Sequence, residues 1–312
     1  MYLNDKLAEA HICLGTLHNG AGEYPQAAAE FSQAIQLDPR SDDAWRGLAH
    51  AHAALGKTKE AEEEYLKAIS VRPYWGNYLE LAEFYFLRAR YTDAETQYSQ
   101  AIEQTPDNSA LYRGLGGLYI AMGRYQDAIT NLKRAIAHHR TFGACENLGT
   151  AYLSLRRFDE AITAYQQALD LKRDDHRAYG NLARAKYWSG KRSEAQPLYQ
   201  QAVDLAEKQL NINPQDRNVH IDLAWYYAML GQKPQALNHL VSAQAMQSGE
   251  AEFAWIAAIV HNQFGDRASA LVCLRRALQL GFSPTEMLAA PELKNVHGDP
   301  EFKSVLSGTK PT

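Results

Sequence analysis

The sequence predicts an all-α fold, an array of eight helix–turn–helix units closed by a short helical cap. Three observations carry this. Alanine, the best helix former, supplies 48 of the 312 residues, whereas valine, which favours pleated strands, supplies 8. A pattern of small and aromatic residues recurs eight times at a period near 34. A turn residue falls at the same offset inside each period. A large sheet is thereby excluded, and with it an α/β enzyme scaffold built on Val/Ile-rich strands. A hydrophobic content of 46% excludes wholesale disorder.

The repeated element is A-x3-F/Y/L-x2-A. It occurs as Ala27/Phe31/Ala34, Ala61/Tyr65/Ala68, Ala94/Tyr98/Ala101, Ala128/Leu132/Ala135, Ala161/Tyr165/Ala168, Ala195/Tyr199/Ala202, Ala236/Leu240/Ala243 and Ala270/Leu274/Ala277. About 13 residues upstream of each first alanine lies a Leu-Gly or Leu-Ala pair. These are Leu14-Gly15, Leu48-Ala49, Leu81-Ala82, Leu115-Gly116, Leu148-Gly149, Leu182-Ala183 and Leu223-Ala224, with Ala257-Ala258 in the last unit. Between the two patterns stand Gly22, Gly56, Gly123, Gly190, Gly231 and Gly265, with Ala89 and Arg156 in units three and five. The upstream pair therefore belongs to a first helix (A), the downstream triplet to a second (B), and the turn residue ends helix A. Small residues mark where the two backbones approach closely. Pro39, Pro73, Pro106 and Pro214 close several units, because proline cannot extend helix B. Pro25 and Pro234 stand at the start of a B helix, where a missing N–H costs little.

These motifs resemble the tetratricopeptide repeat (TPR) family over nearly the whole chain. The resemblance implies a right-handed α-α superhelix, a TPR solenoid, in which the A helices line a concave groove. The expected organisation is a lead-in at 1–7 and eight repeats across 8–284. Their boundaries fall at 8–41, 42–74, 75–108, 109–141, 142–175, 176–216, 217–250 and 251–284. A C-terminal helical cap at 285–307 and a tail at 308–312 follow.

Two stretches depart from the period. After Ala202 the sequence VDLAEKQLNINP adds seven residues, so helix B of repeat six is expected to be two turns longer. Ser283-Pro284-Thr285-Glu286 is a capping box with proline at the first helical position. Asp299-Pro300-Glu301 repeats the cap-then-proline pattern, so helices are expected near 284–290 and 300–307 over the end of repeat eight. The tail GFSPTEML…PELK…DPEFKSVL is also similar to the ends of TPR arrays in bacterial multidomain signalling proteins, such as serine/threonine kinases and winged-helix regulators. That resemblance implies an alternative role, as the regulatory or sensory module of such a protein. Repeat one lacks a polar cap of this kind, which leaves self-association through its uncapped face open.

No catalytic pattern survives inspection. A kinase needs a Gly-rich phosphate loop and an H-R-D loop; His139-Arg140 and His176-Arg177 are not followed by Asp. P-loop, nucleophile-elbow and dinucleotide fingerprints are absent, and Gly114, Gly116 and Gly117 fall inside a helix A rather than after a strand. Zinc spacing such as C-x2-C is missing, and His11, Cys13 and His18 do not share one helix face. Neither a metal nor a cofactor is therefore expected. Three cysteines, an odd number in apolar helical patterns, read as buried free thiols. The charge of −4 and the lack of a basic, aromatic-interleaved stripe argue against nucleic acid. No apolar run reaches 18 residues, so membrane insertion is not expected. Glu62-Glu63-Glu64 reads as a solvated helix face. The absence of a secretory signal favours a cytoplasmic location, with an extracytoplasmic one if the chain belongs to a membrane-anchored protein.

The candidate site is the concave groove. Asn147 and Asn181 each precede the marker leucine in consecutive repeats, and Asp222 continues the row. A side-chain amide donates to and accepts from a peptide backbone at once, and such a row resembles the peptide-gripping device of TPR domains. Around it stand Arg113, Arg184, Tyr187, Trp188 and Trp225, suited to a partner with acidic and aromatic or aliphatic residues. Arg46 and His50 form a smaller patch in repeat two. The lysine/asparagine clamp of co-chaperone TPR domains is not matched at Ile12, Cys13, Thr16, Arg46, Gly47 and His50. The expected function is a non-enzymatic scaffold that binds a protein or peptide segment.

Overall fold

The computed structural model describes residues 2–246 and 251–307. The boundary between repeats seven and eight and the tail at 308–312 lie outside the described residues. Among these residues the chain is all-helical, with no strand. Seven A/B pairs are α1/α2 (Tyr2–Gly20, Tyr24–Leu37), α3/α4 (Asp42–Ala54, Thr58–Val71), α5/α6 (Trp75–Phe86, Tyr91–Gln104), α7/α8 (Ser109–Ala121, Tyr125–His138), α9/α10 (Phe142–Ser154, Phe158–Leu171), α11/α12 (His176–Trp188, Arg192–Ile212) and α13/α14 (Arg217–Met229, Lys233–Ala245). The eighth is α15/α16 (Ala251–Gln263, Arg267–Gln279). The cap is α17 (Pro284–Ala289), a 3-10 turn (Pro291–Leu293) and α18 (Pro300–Ser307). Helix α1 already begins at Tyr2, so the lead-in belongs to the first A helix. Helix α12 has 21 residues where other B helices have 13 or 14, the two extra turns expected after Ala202. The chain forms two compact units, Met1–Leu118 and Tyr119–Thr312.

The repeat code is a packing code. Phe31, Tyr65, Tyr98, Tyr165 and Tyr199 are buried, as are Leu132, Leu240 and Leu274 in the leucine variants. The alanines on either side of each are sealed from solvent. The aromatic sits against the A helices on both sides: a methyl group added at Gly15 or Gly47 would lie 2.9 or 2.3 Å from the Phe31 ring. Ala27, Phe31, Leu48 and Ala51 form one core cluster, which shows that helix A of repeat two seals helix B of repeat one. In the second unit one continuous cluster runs from Ala183 to Val305.

The turns explain two apparent exceptions. Gly56 ends its A helix with φ +77°. At the same offset Ala89 and Arg156 take φ 55° and 57°, so the turn is kept without glycine at a steric cost. The conformation is imposed by the packed helices on both sides and not by the residue. Many A helices start on a side-chain cap: Ser41, Thr141, Asp175 and Asp216 accept from backbone N–H groups of the first turn. Ser283 does the same for α17.

Two readings of the sequence need correction. Cys13 is exposed, whereas Cys145 is buried and Cys273 half-buried, so the three are not uniformly buried thiols. The Glu62–Glu64 run is not a uniformly solvated face. Glu62 accepts from Arg90 at 2.7 Å and from Tyr85 at 2.8 Å, and Glu64 meets His52 at 2.9 Å, leaving only Glu63 outward.

Two substitutions test this description. A Cβ at Gly180 would lie 2.4 Å from the ring of the fully buried Tyr226. Overpacking of that kind costs roughly 1–3 kcal/mol and exceeds the helix-propensity gain of about 1 kcal/mol. Gly180→Ala is therefore expected to lower stability in chemical denaturation. Ala89→Gly relieves about 1–2 kcal/mol of left-handed strain against an unfolded-state entropy cost of about 0.4–1 kcal/mol. It is expected to raise the melting temperature slightly.

Candidate functional site

In the second unit the A helices α9, α11 and α13 carry most of the predicted groove residues. Arg184 and Trp188 there do hold a carboxylate, and it belongs to the same chain. Arg184 Nε and Nη2 donate to Glu292 Oε1 and Oε2 at 2.6 and 2.7 Å, a two-pronged fork across 108 residues. Trp188 Nε1 donates to the same carboxylate at 3.1 Å. Asn262 Nδ2 donates to the Glu292 carbonyl at 2.8 Å and to Asn295 Oδ1 at 3.0 Å. The Arg184 guanidinium lies 5.7 Å from the centre of the Trp225 ring, and nearby Glu292 raises its pKa even though burial opposes this. Trp225 is itself buried, edge-on to Tyr199 at 6.0 Å. Tyr187 packs edge-on to Trp188 at 5.1 Å, with Arg192 over its other side.

The tail segment is therefore an occupant as well as a cap. Met287, Leu293 and Phe302 are fully buried, and Val296 and Val305 nearly so. Burying five such side chains contributes on the order of 10 kcal/mol. An incoming peptide would have to displace all of that to reach Arg184, although a cleft of about 540 Å³ stays open beside Trp188, Asn262, Glu292 and Asn295. A cavity of about 140 Å³ remains beneath the tail, lined among others by Tyr125, Thr150, Arg184, Trp255, Phe282 and Glu286.

The asparagine row does not form a free ladder. Asn181 Nδ2 donates to Glu146 Oε1 at 3.3 Å, one repeat back. Asp222 accepts from Arg177 Nε at 2.7 Å, and burial pushes its pKa up to about 6 against that arginine. Asn147 is half-buried and makes no side-chain hydrogen bond among the described residues. The same device occurs in the first unit, where Asn77 Nδ2 donates to the buried Asp42 at 2.9 Å. These polar residues tie successive A helices together.

In the first unit Arg46 and His50 border a cleft of about 430 Å³ that also takes in Ile12, Thr16, Asn19 and Glu80. Arg46 is held by Asp43 at 2.6 Å and by the Tyr74 hydroxyl at 3.3 Å. The His50 ring lies 6.4 Å from that of Tyr24. Arg113 is exposed further along the same unit; it favours the charged form of Glu83, whose pKa burial and Glu80 together raise. Sequence reasoning missed Asn19 and Glu292 and left Glu80 out of the candidate site. Glu80 was legible as the member of the Asn147/Asn181 row in repeat three. No local signal ties Glu292 to an arginine 108 residues away. Among the described residues no group of three His, Cys, Asp or Glu could hold a metal, and no helix is long and apolar enough to cross a membrane.

This geometry defines a helix-repeat protein whose A-helix faces present or enclose extended surfaces. The tetratricopeptide repeat family model matches residues 14–78, 76–141, 107–174 and 174–248, and the chain belongs to that family. Tetratricopeptide repeats generally mediate protein–protein interaction. The chain is similar to human Tetratricopeptide repeat protein 6, 25% identical over 212 residues, which is 66% of this chain and 39% of that protein. It is 27% identical over 111 residues to mouse Superkiller complex protein 3, 35% of this chain and 7% of that protein. It thus spans well under half the length of these relatives. A tetratricopeptide repeat protein from Parabacteroides merdae superposes with a TM-score of 0.59 at 15% identity, covering 85% of this chain and 97% of that one, which shows the shared fold.

Removing one partner of a buried ion pair strands the other, at a cost of roughly 3–5 kcal/mol. Glu292→Ala is therefore expected to destabilise the second unit by about that amount. It should also increase hydrogen exchange across 284–307, read by mass spectrometry.

Proposed function

We propose that the chain is a non-enzymatic scaffold for protein–protein interaction, and that its open binding groove is the cleft of the first unit. The observation that carries this reading is two acceptors at the cleft that make no hydrogen bond, Asn19 Oδ1 and the Glu80 carboxylate, the latter in the field of Arg46. Asn19 Nδ2 donates to the Gly47 carbonyl at 3.3 Å, while its Oδ1 is buried with no hydrogen-bond partner. The Glu80 carboxylate is half-buried and makes no hydrogen bond or ion pair among the described residues. A buried acceptor left unmet costs free energy that a ligand donor recovers. Residues 1–118 carry 17 acidic and 10 basic side chains, so the field around the cleft favours a cationic partner.

The ligand that fits is an extended segment carrying lysine or arginine. Its cation lies against Glu80 and its backbone or side-chain N–H donates to Asn19 Oδ1. Ile12 and the edge of Phe31 supply the apolar contact. Such a preformed surface keeps the ordering cost of binding low.

The test is a pull-down with the chain as bait, peptide mapping of the captured protein, and anisotropy titration of the mapped peptide. Glu80→Lys is expected to weaken binding at least about tenfold, and wild-type affinity to fall with added salt. Wild-type affinity in Glu80→Lys would overturn the assignment. Loss confined to Asn147→Ala would move the groove to the second unit.

A further inference from the structure

The cavity beneath the tail of the second unit is lined by two polar groups left unspent by the chain. Tyr125, at the start of α8, is 7% exposed, and its hydroxyl is sealed from solvent with no hydrogen-bond partner. Ser154 on the same wall donates to the Thr150 carbonyl at 3.0 Å, and Thr150 to the Glu146 carbonyl at 3.1 Å. Glu286, on α17, is half-buried, and its carboxylate makes no hydrogen bond or ion pair among the described residues. Burial pushes its pKa up, and the field of Arg184 offsets only part of that rise. The cavity is not a gap under a loose segment. A methyl group added at Gly123 would lie 2.7 Å from Thr285 Cγ2, so α17 is seated on the turn between α7 and α8.

The charges around the cavity decide what kind of ligand suits it. Arg184 lines it, but its Nε and Nη2 are both spent on Glu292. One guanidinium thus stands beside two carboxylates, and Glu286 is the one left over. An anionic ligand would meet that carboxylate as a like charge, and a neutral one would leave it uncompensated. An ammonium group carries donors and no acceptor, so it donates to Glu286 and to the Tyr125 oxygen at once. The rest of the lining is largely apolar, with Ile120, Leu153 and the rings of Trp255 and Phe282, stacked 4.6 Å apart. That wall suits a hydrocarbon body. The volume of about 140 Å³ is close to the roughly 150 Å³ of an apolar cavity that takes up benzene, so a ligand of about six to eight non-hydrogen atoms fits.

We propose that this cavity is a binding site for a small organic ammonium ion, its charged head between Glu286 and Tyr125 and its apolar body against Trp255 and Phe282. The site shares no residue with the cleft of the first unit, so it does not rest on the reading given for that cleft.

The test uses the full chain at neutral pH. Isoamylamine and benzylamine, both protonated there, are the probes, with benzyl alcohol and benzoate as neutral and anionic counterparts of the second. Isothermal titration, with saturation-transfer NMR of the ligand, is expected to give a dissociation constant of about 1 mM or lower for at least one amine. The alcohol and benzoate are expected to bind at least about tenfold more weakly. This comparison needs only the wild-type chain, so it stands whatever a substitution does to stability. Glu286→Gln is expected to weaken amine binding at least about tenfold while keeping the wild-type circular-dichroism melt, because the amide keeps the shape of the side chain. Tyr125→Phe is expected to weaken it about threefold or more. Glu80→Lys, in the first unit, is expected to change nothing. Binding of neither amine leaves the cavity to water and overturns the proposal. Equal affinity for benzyl alcohol and benzylamine, or amine binding indifferent to Glu286→Gln, overturns it as well. Loss in Glu80→Lys instead assigns the amine to the first-unit cleft and overturns it too.

Discussion

One contact recurs through the molecule: a ring or leucine from each B helix wedged among alanines and against neighbouring A helices. Phe31 is the clearest case, with no room for a methyl group at Gly15 on one side or Gly47 on the other. An isolated helix pair has no partner for half of that contact. Each repeat therefore depends on the next, and stability is a nearest-neighbour property rather than a single central core.

At the C-terminal end the finish is covalently supplied. The tail contributes an apolar plug of Met287, Leu293, Val296, Phe302 and Val305, and a polar anchor at Glu292. The anchor uses the chemistry that suits an arginine and a tryptophan facing a groove, a two-pronged carboxylate with an indole donor. The second unit thus consumes its own most ligand-like surface in order to close its end. Helix α1 exposes Leu14 and Leu17, whereas the equivalent positions of repeats two to seven are buried. The first unit also keeps its cleft, with Asn19 Oδ1 lacking a hydrogen-bond partner.

The polar residues inside the array divide along the same line. Asn77–Asp42, Asn181–Glu146 and Arg177–Asp222 each bridge one A helix to the next. They satisfy buried groups that an apolar contact would leave costly, and they fix the register of successive repeats. A row of asparagines in a groove and a row of asparagines between repeats differ by a small rotation about the helix axis. Spacing alone does not separate them.

The sequence by itself determined the all-α class, the repeat period near 34 residues, the lengthened α12, the capping of α17 and the positions that must be small. These follow from local propensity and periodic packing, which repeat eight times and so average out local exceptions. It even placed the turns at Ala89 and Arg156, where the residue type argues against a left-handed φ and the register argues for it. Tertiary structure alone decided which of the predicted groove side chains are engaged within the chain. That question depends on contacts between residues far apart in the chain: Arg184 with Glu292, Asn262 with the Glu292 carbonyl, and the exposure of Cys13 and Leu17. No periodicity encodes such a pairing, because each occurs once.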